Sequence, residues 1–144
     1  MGKHLLLADD DDDDRMLFQE ALREVSRDTR LTMAIDGEQL MEVLDGLLPE
    51  RPTVLFLDLN MPRKNGFACL EELRQRAPFK DMPIVVLSTS DDVATIDMLH
   101  RSGASHYISK PPSFEVLKSA VEYFCRVDWS AAHPSSRETF VLTF

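Results

Sequence analysis

The sequence predicts an α/β fold: a three-layer sandwich around a doubly wound, five-stranded parallel sheet, with five helices. Three observations carry this reading. Short apolar runs alternate with amphipathic helical patterns five times along 144 residues, and such alternation implies parallel strands joined by right-handed crossovers. One run, Thr53-Val54-Leu55-Phe56-Leu57, is nearly unbroken, as befits a central strand covered on both faces. The balance of 44% hydrophobic and 28% charged residues is that of an ordinary globular domain, which excludes wholesale disorder.

The elements follow in order. Leu5-Leu6-Leu7-Ala8 is the first strand, and a helix is predicted from about Asp13 to Val25 with Met16, Leu17, Ala21, Leu22 and Val25 on one stripe. Leu31 to Ile35 reads as the second strand. Gly37 to Leu48 is a helix with apolar positions at Leu40, Val43, Leu44 and Leu47, and Pro49 and Pro52 close it. After the third strand, Gly66 to Ala77 forms a helix that Pro78 ends. Pro83 opens a fourth strand, Ile84-Val85-Val86-Leu87, at a position where a missing N–H does least harm. Asp91 or Asp92 caps a fourth helix running to about Arg101, stopped by Gly103. Ser105 to Ile108 is the last strand, and Ser113 caps a final helix through Phe114, Leu117, Val121 and Phe124.

Charge narrows the partners. With 16 basic and 25 acidic residues the net charge is −9, which argues against nucleic acid or an anionic membrane as a partner. Six of those acids form one run, Asp9 to Asp14. Cys69 and Cys125 lie far apart without ligand spacing and read as small buried hydrophobes. No stretch approaches the length of a membrane span, and the amino terminus has no signal-peptide pattern. A cytoplasmic protein is the expectation.

In parallel sheets of this kind, ligands bind beyond the carboxyl ends of the strands. Asp9 and Asp10 follow the first strand, Asp58 the third, Ser88 and Thr89 finish the fourth, and Lys110 follows the fifth. Converging carboxylates repel unless a cation lies between them, and oxygen donors without soft ligands suit Mg²⁺. A lysine and a hydroxyl beside an acidic nucleophile complete a set suited to phosphoryl transfer.

Four stretches carry a family resemblance: Leu5-Leu6-Leu7-Ala8-Asp9-Asp10, Leu55-Phe56-Leu57-Asp58-Leu59-Asn60-Met61-Pro62, Val85-Val86-Leu87-Ser88-Thr89-Ser90 and Tyr107-Ile108-Ser109-Lys110-Pro111-Pro112. The separations, 30 residues from Asp58 to Ser88 and 22 from Ser88 to Lys110, match as well. The sequence resembles the receiver domain of two-component response regulators, in particular the single-domain, chemotaxis-type members, and its Asp58 and Ser88 stretches look most like regulators paired with bacteriophytochromes. The resemblance implies a flavodoxin-like strand order 2-1-3-4-5. It implies that Asp58 is the phosphoacceptor for a phosphohistidine on a sensor histidine kinase or phosphorelay protein. Asp10 would ligate Mg²⁺ (or Mn²⁺) directly, Asp9 through water, Asp58 by its carboxylate and Asn60 by its backbone carbonyl. Ser88 would hydrogen-bond the phosphoryl group, Lys110 would pair with it, and Tyr107 would be the switch aromatic. Pro111 stands where the family has a cis Lys–Pro bond.

Each position has a plainer reading: Asp58 as a helix cap, Ser88 as a strand-end hydroxyl, Lys110 as a solvated charge, Tyr107 as core. Anchoring on Ala8 and Arg15 sets the metal pair at Asp9 and Asp10; a slip of one would make it Asp10 and Asp11. The surplus carboxylates depart from the family pattern, and so does Thr89, whose methyl narrows access to the site. Residues 1–128 are expected to form the receiver domain and 129–144 a tail without an output domain, so that signalling would run through an unidentified protein target. The tail begins with a linker-like composition and ends in Glu138-Thr139-Phe140-Val141-Leu142-Thr143-Phe144, an apolar run that either folds back on its own domain or docks on a partner, with a homodimer as one outcome. A phosphohydrolase is the enzymatic rival, and it would want a proton donor where the chain has Asn60. A phosphorylation-independent interaction module is the third reading.

Overall fold

Unbroken apolar runs make the three central strands, β1 (His4–Ala8), β3 (Val54–Asp58) and β4 (Ile84–Ser88), and β3 and β4 are buried at every position. With β2 (Arg30–Ala34) and β5 (His106–Ser109) they form one five-stranded sheet in the order β2-β1-β3-β4-β5, all pairs parallel. The computed structural model describes residues 2–129 and 136–144. The helices are α1 (Asp12–Val25), α2 (Gly37–Leu47), α3 (Gly66–Gln75), α4 (Val93–Arg101), α5 (Phe114–Arg126) and a short α6 (Arg137–Phe140).

Side chains along a strand alternate between faces, and the alternation divides the interior in two. Leu5, Leu7, Val54, Phe56, Val85 and Leu87 point to one face, where α1 and α5 cover them through Phe18, Leu22, Val121 and Phe124. Leu6, Leu55, Leu57, Ile84 and Val86 point to the other, where α2, α3 and α4 bring Leu40, Leu44, Leu70, Leu73 and Leu99. Phe56 is the hub of the first face, with ring centroids 5.1 Å from Phe18 and 5.2 Å from Phe124. These are the three layers the alternating pattern predicts.

Four details correct the sequence reading. The stripe on α1 is Phe18, Ala21 and Leu22 with Val25, spaced i, i+3, i+4, i+7; Met16 and Leu17 are 55% and 44% exposed. The second strand ends at Ala34, because the Ile35 N–H leaves the ladder for the Gln39 side chain at 2.7 Å. The third helix stops at Gln75, and Ala77–Phe79 form a 3₁₀ turn instead, since Pro78 has no N–H and disfavours helix before it. The Lys110–Pro111 peptide is trans; among the described residues the cis bond is Leu48–Pro49.

Beyond α5 the chain does not behave as a loose linker at its first residue. Trp129 is buried, stacks on Phe124 with centroids 6.0 Å apart, and donates its indole N–H to the Phe124 carbonyl at 3.1 Å. The rest of the linker-like stretch, 130–135, lies outside the described residues. Residues 136–144 pack on their own domain. Phe140 is fully buried in the core beside His100, the Leu142 N–H bonds to the Tyr107 carbonyl at 2.9 Å, and Val141 forms a parallel bridge to Tyr107. Arg137 pairs with Asp97 of α4 at 2.5 Å.

Candidate functional site

Because β1, β3, β4 and β5 run parallel in adjacent register, their carboxyl ends meet at one rim. Asp58 is the last residue of β3 and sits opposite Leu87; Ser88 ends β4 opposite Ser109, one residue before Lys110. Asp9 and Asp10 follow β1, whose Ala8 pairs with Leu57. The rim opens into a cleft of about 550 Å³ lined by Asp10, Asp58, Asn60, Thr89 and Lys110.

Local structure holds each group. Asp9 is buried, fixed through its N–H to the Ala34 carbonyl at 3.1 Å, and its Oδ1 accepts the Asp11 N–H at 3.0 Å. Asp11 caps α1 by accepting the Asp14 N–H at 3.0 Å, and Arg15 reaches back from α1 to the Asp9 carbonyl at 2.8 Å. Asp58 is 3% exposed. Gly66 is what permits α3 to begin against it: a Cβ there would stand 2.5 Å from the Asp58 carbonyl oxygen. The Lys110 N–H bonds to the Ser88 carbonyl at 2.9 Å, so the lysine backbone is tied to β4.

The electrostatics are those of crowded carboxylates around one ammonium. Burial and then the Asp9 charge raise the pKa of Asp58 from 3.8 to about 6, with Lys110 pulling the other way. Burial also raises Asp9, opposed by the Asp11 N–H and by Lys110. Burial works against the Lys110 ammonium, yet its hydrogen bond to Asp14 and the charges of Asp9 and Asp58 outweigh it, so its pKa stands above the usual lysine value. Lys110 Nζ lies 2.9 Å from Asp14, 3.4 Å from Asp9 and 3.6 Å from Asp58.

Carboxylate oxygens of Asp9, Asp10 and Asp58 all lie within 4.8 Å of one another. Oxygens around an octahedral Mg²⁺ at 2.0–2.1 Å are separated by about 3–4 Å, so small side-chain rotations suffice to close this set on an ion. The all-oxygen, acidic donor set fits Mg²⁺ or Mn²⁺.

The structure brings Asp9, Asp10, Asp58 and Lys110 together, with Asn60 on the cleft wall. Ser88 is 1% exposed and its Oγ accepts the Ser90 N–H at 3.1 Å; its neighbour Thr89 is the one that lines the cleft. Tyr107 lies beneath the rim, 1% exposed. Burial raises its pKa, and the Ser88 and Ser109 hydroxyls are near enough to lower it in part, but among the described residues its hydroxyl makes no hydrogen bond of normal geometry. Asp14 is the group the sequence reading did not single out. It belongs to the Asp9–Asp14 run and lies in the first turn of α1, which starts at Asp12 after the Asp11 cap, so neither composition nor spacing marks it out from its neighbours.

Comparisons with known proteins bear on the family and the fold. The family described as response regulator receiver domain matches residues 5–122. A probable chemotaxis protein CheY of Rhizobium etli is 30% identical over 118 residues, covering 81% of this chain and 88% of that protein. Among solved structures, the phosphorylated cyanobacterial phytochrome response regulator RcpA superposes with a TM-score of 0.81 at 29% identity, covering 94% of this chain and all of that one. The Mn²⁺-bound form of response regulator Rcp1 superposes with a TM-score of 0.78 at 28% identity, covering 93% and 99%. Fold, strand order, the acidic rim and these relatives lead to one conclusion: the chain belongs to the response regulator receiver domain family.

Proposed function

We propose that the protein is a phosphorylation switch in which Asp58 takes a phosphoryl group from a phosphohistidine of a sensor histidine kinase or phosphorelay protein. One observation carries the reading: the buried Asp58 carboxylate shares a rim with two carboxylates whose oxygens lie within 4.8 Å of its own and with a lysine ammonium 3.6 Å away. A Mg²⁺ or Mn²⁺ ion at Asp9, Asp10 and Asp58 supplies neutralising charge for the transferring group. Asp10 would be its direct ligand, Asp9 would act through water, and the Asn60 carbonyl would add a further oxygen.

The chain's own residues do the rest. An Asp58 oxygen forms a bond to phosphorus as the bond to the donor imidazole nitrogen breaks, and the imidazole leaves with its electron pair and takes up a proton. The nucleophile must be ionised, so a pKa of about 6 leaves it ready near neutral pH. Lys110 pairs with the new phosphoryl charge, and the Ser88 hydroxyl turns toward it. That turn vacates the space above Tyr107, whose unpartnered hydroxyl then follows; the surface formed by α4, β5 and α5 changes and a protein target reads it. Asn60 stands two positions after Asp58, where a hydrolase would place an acid, and an amide has no proton to give. The site therefore lacks the general acid of a phosphohydrolase, which favours a cytoplasmic switch over that enzyme.

The test is phosphoryl uptake from a phosphohistidine donor, read by intact mass with and without Mg²⁺. One phosphoryl group on the wild type, none without the cation and none on Asp58→Asn is the expected result. Equal labelling of Asp58→Asn refutes the assignment.

A further inference from the structure

We propose that Asp14 is a positioning residue for Lys110: it holds the ammonium on the α1 side of the rim until phosphorylation of Asp58 draws it across. This rests on the phosphoacceptor reading above and adds a residue that reading does not use.

Lys110 Nζ lies within hydrogen-bond distance of Asp14 Oδ2, at 2.9 Å, while Asp9 and Asp58 are at 3.4 and 3.6 Å. Asp14 stands outside the cluster of Asp9, Asp10 and Asp58 that could hold a cation. A divalent ion there offsets the charge of those three carboxylates and weakens their hold on Lys110, but Asp14 keeps its charge and becomes the lysine's chief partner.

Asp14 is also well placed to stay put. Its N–H is held by the Asp11 cap, and Arg15, next in the chain, ties α1 to the end of β1. The lysine backbone is fixed to the Ser88 carbonyl, so the side chain is the part of Lys110 free to respond. The Asp14 side chain is 39% exposed and that of Lys110 23%; a pair so close to solvent is weak. A phosphoryl group on Asp58, bringing about −1.5 to −2 charges and three acceptor oxygens, outcompetes it. Asp14 therefore works as a parking place and not as a lock.

The experiment uses the full chain with a phosphohistidine donor and Mg²⁺, following acyl phosphate formation against donor concentration. Wild type, Asp14→Asn, Asp14→Glu and Asp13→Asn are compared, and Asp14→Asn is repeated in a Lys110→Ala background. With the lysine released to meet the incoming donor, Asp14→Asn lowers the half-saturating concentration by about two- to fivefold, the size expected of one exposed ion pair, with little change in the maximal rate. Asp14→Glu restores the wild-type value, and Asp13→Asn, which removes the same charge one residue away, has a smaller effect. In the Lys110→Ala background the Asp14 substitution has no effect.

An equal shift with and without Lys110, or an equal shift for Asp13→Asn, shows a general field effect and overturns the proposal. So does a folded Asp14→Asn protein with unchanged half-saturation. Failure of the wild type to label, or labelling that survives Asp58→Asn, overturns the phosphoacceptor reading itself and this proposal with it.

Discussion

Replacing Asp58 by Asn should make the metal-free protein more stable at pH 8, not less. The carboxylate is 3% exposed, and burial together with the Asp9 charge raises its pKa from 3.8 to about 6. The unfolded chain releases this proton at the ordinary value. Between those two pH values the folded state holds a proton that the unfolded state has lost, so the unfolding free energy falls as pH rises through the window. Above it the full difference applies: about 2 pKa units at ~1.36 kcal/mol each is ~3 kcal/mol of destabilisation from a charged Asp58. Asparagine has the shape of the protonated acid and carries no charge. Allowing for the partner Lys110 loses, the gain at pH 8 is about 2 kcal/mol, or a rise of ~4–8 °C in melting temperature for a chain of this size. Thermal and urea unfolding in chelator at pH 4 and pH 8 measure it. The gain should fade toward pH 4, where wild type also carries a neutral group, and saturating Mg²⁺ should narrow it by stabilising the wild type. A variant no more stable than wild type at pH 8, or a difference that does not shrink toward pH 4, would refute the electrostatic account.

Lys110→Ala should keep phosphoryl uptake but lose the phosphorylation-dependent change in near-ultraviolet circular dichroism from the buried Tyr107 and Trp129; an undiminished change would remove the lysine from the switch. Asp10→Ala should weaken Mg²⁺ binding by at least about tenfold, or ~1.4 kcal/mol, and Asp12→Ala far less; the reverse order in calorimetric titration would show that the metal register is slipped. Phe140→Ala empties a fully buried site and should cost about 3 kcal/mol in urea unfolding; a loss below ~1 kcal/mol would mean that residues 136–144 add little to the core.

The sheet was legible because its central strands are unbroken apolar runs, and the residues just past Ala8, Leu57, Leu87 and Ser109 then had to share a rim. That same step brought Asp9, Asp10, Asp58 and Lys110 into view as a group. What escaped depends on choices finer than periodicity. Met16 and Leu17 are apolar too, so α1 offers two overlapping stripes, and the one that starts at Phe18 is buried, with Phe18 against Phe56. The partner of Lys110 is a matter of side-chain reach across 96 residues of sequence, which no local pattern encodes. Residues 138–144 are plainly apolar in sequence, but the groove that receives Phe140 is built by His100, Leu99 and Tyr107 from separate elements, so its address is invisible before folding.

β5 is the last strand of the sheet on its side, and the free flank of such a strand is a template for any passing chain. Here residues 136–144 of the same chain occupy part of that flank, through the Leu142 N–H and the Val141 bridge, and plug the neighbouring hole with Phe140. Shortened forms ending before Ser136 would bare both the hydrogen-bonding edge and the apolar hole behind it. Association seen in such a form would report sticky, unprotected sheet and not a native assembly, so questions of oligomeric state belong to the chain that retains residues 136–144.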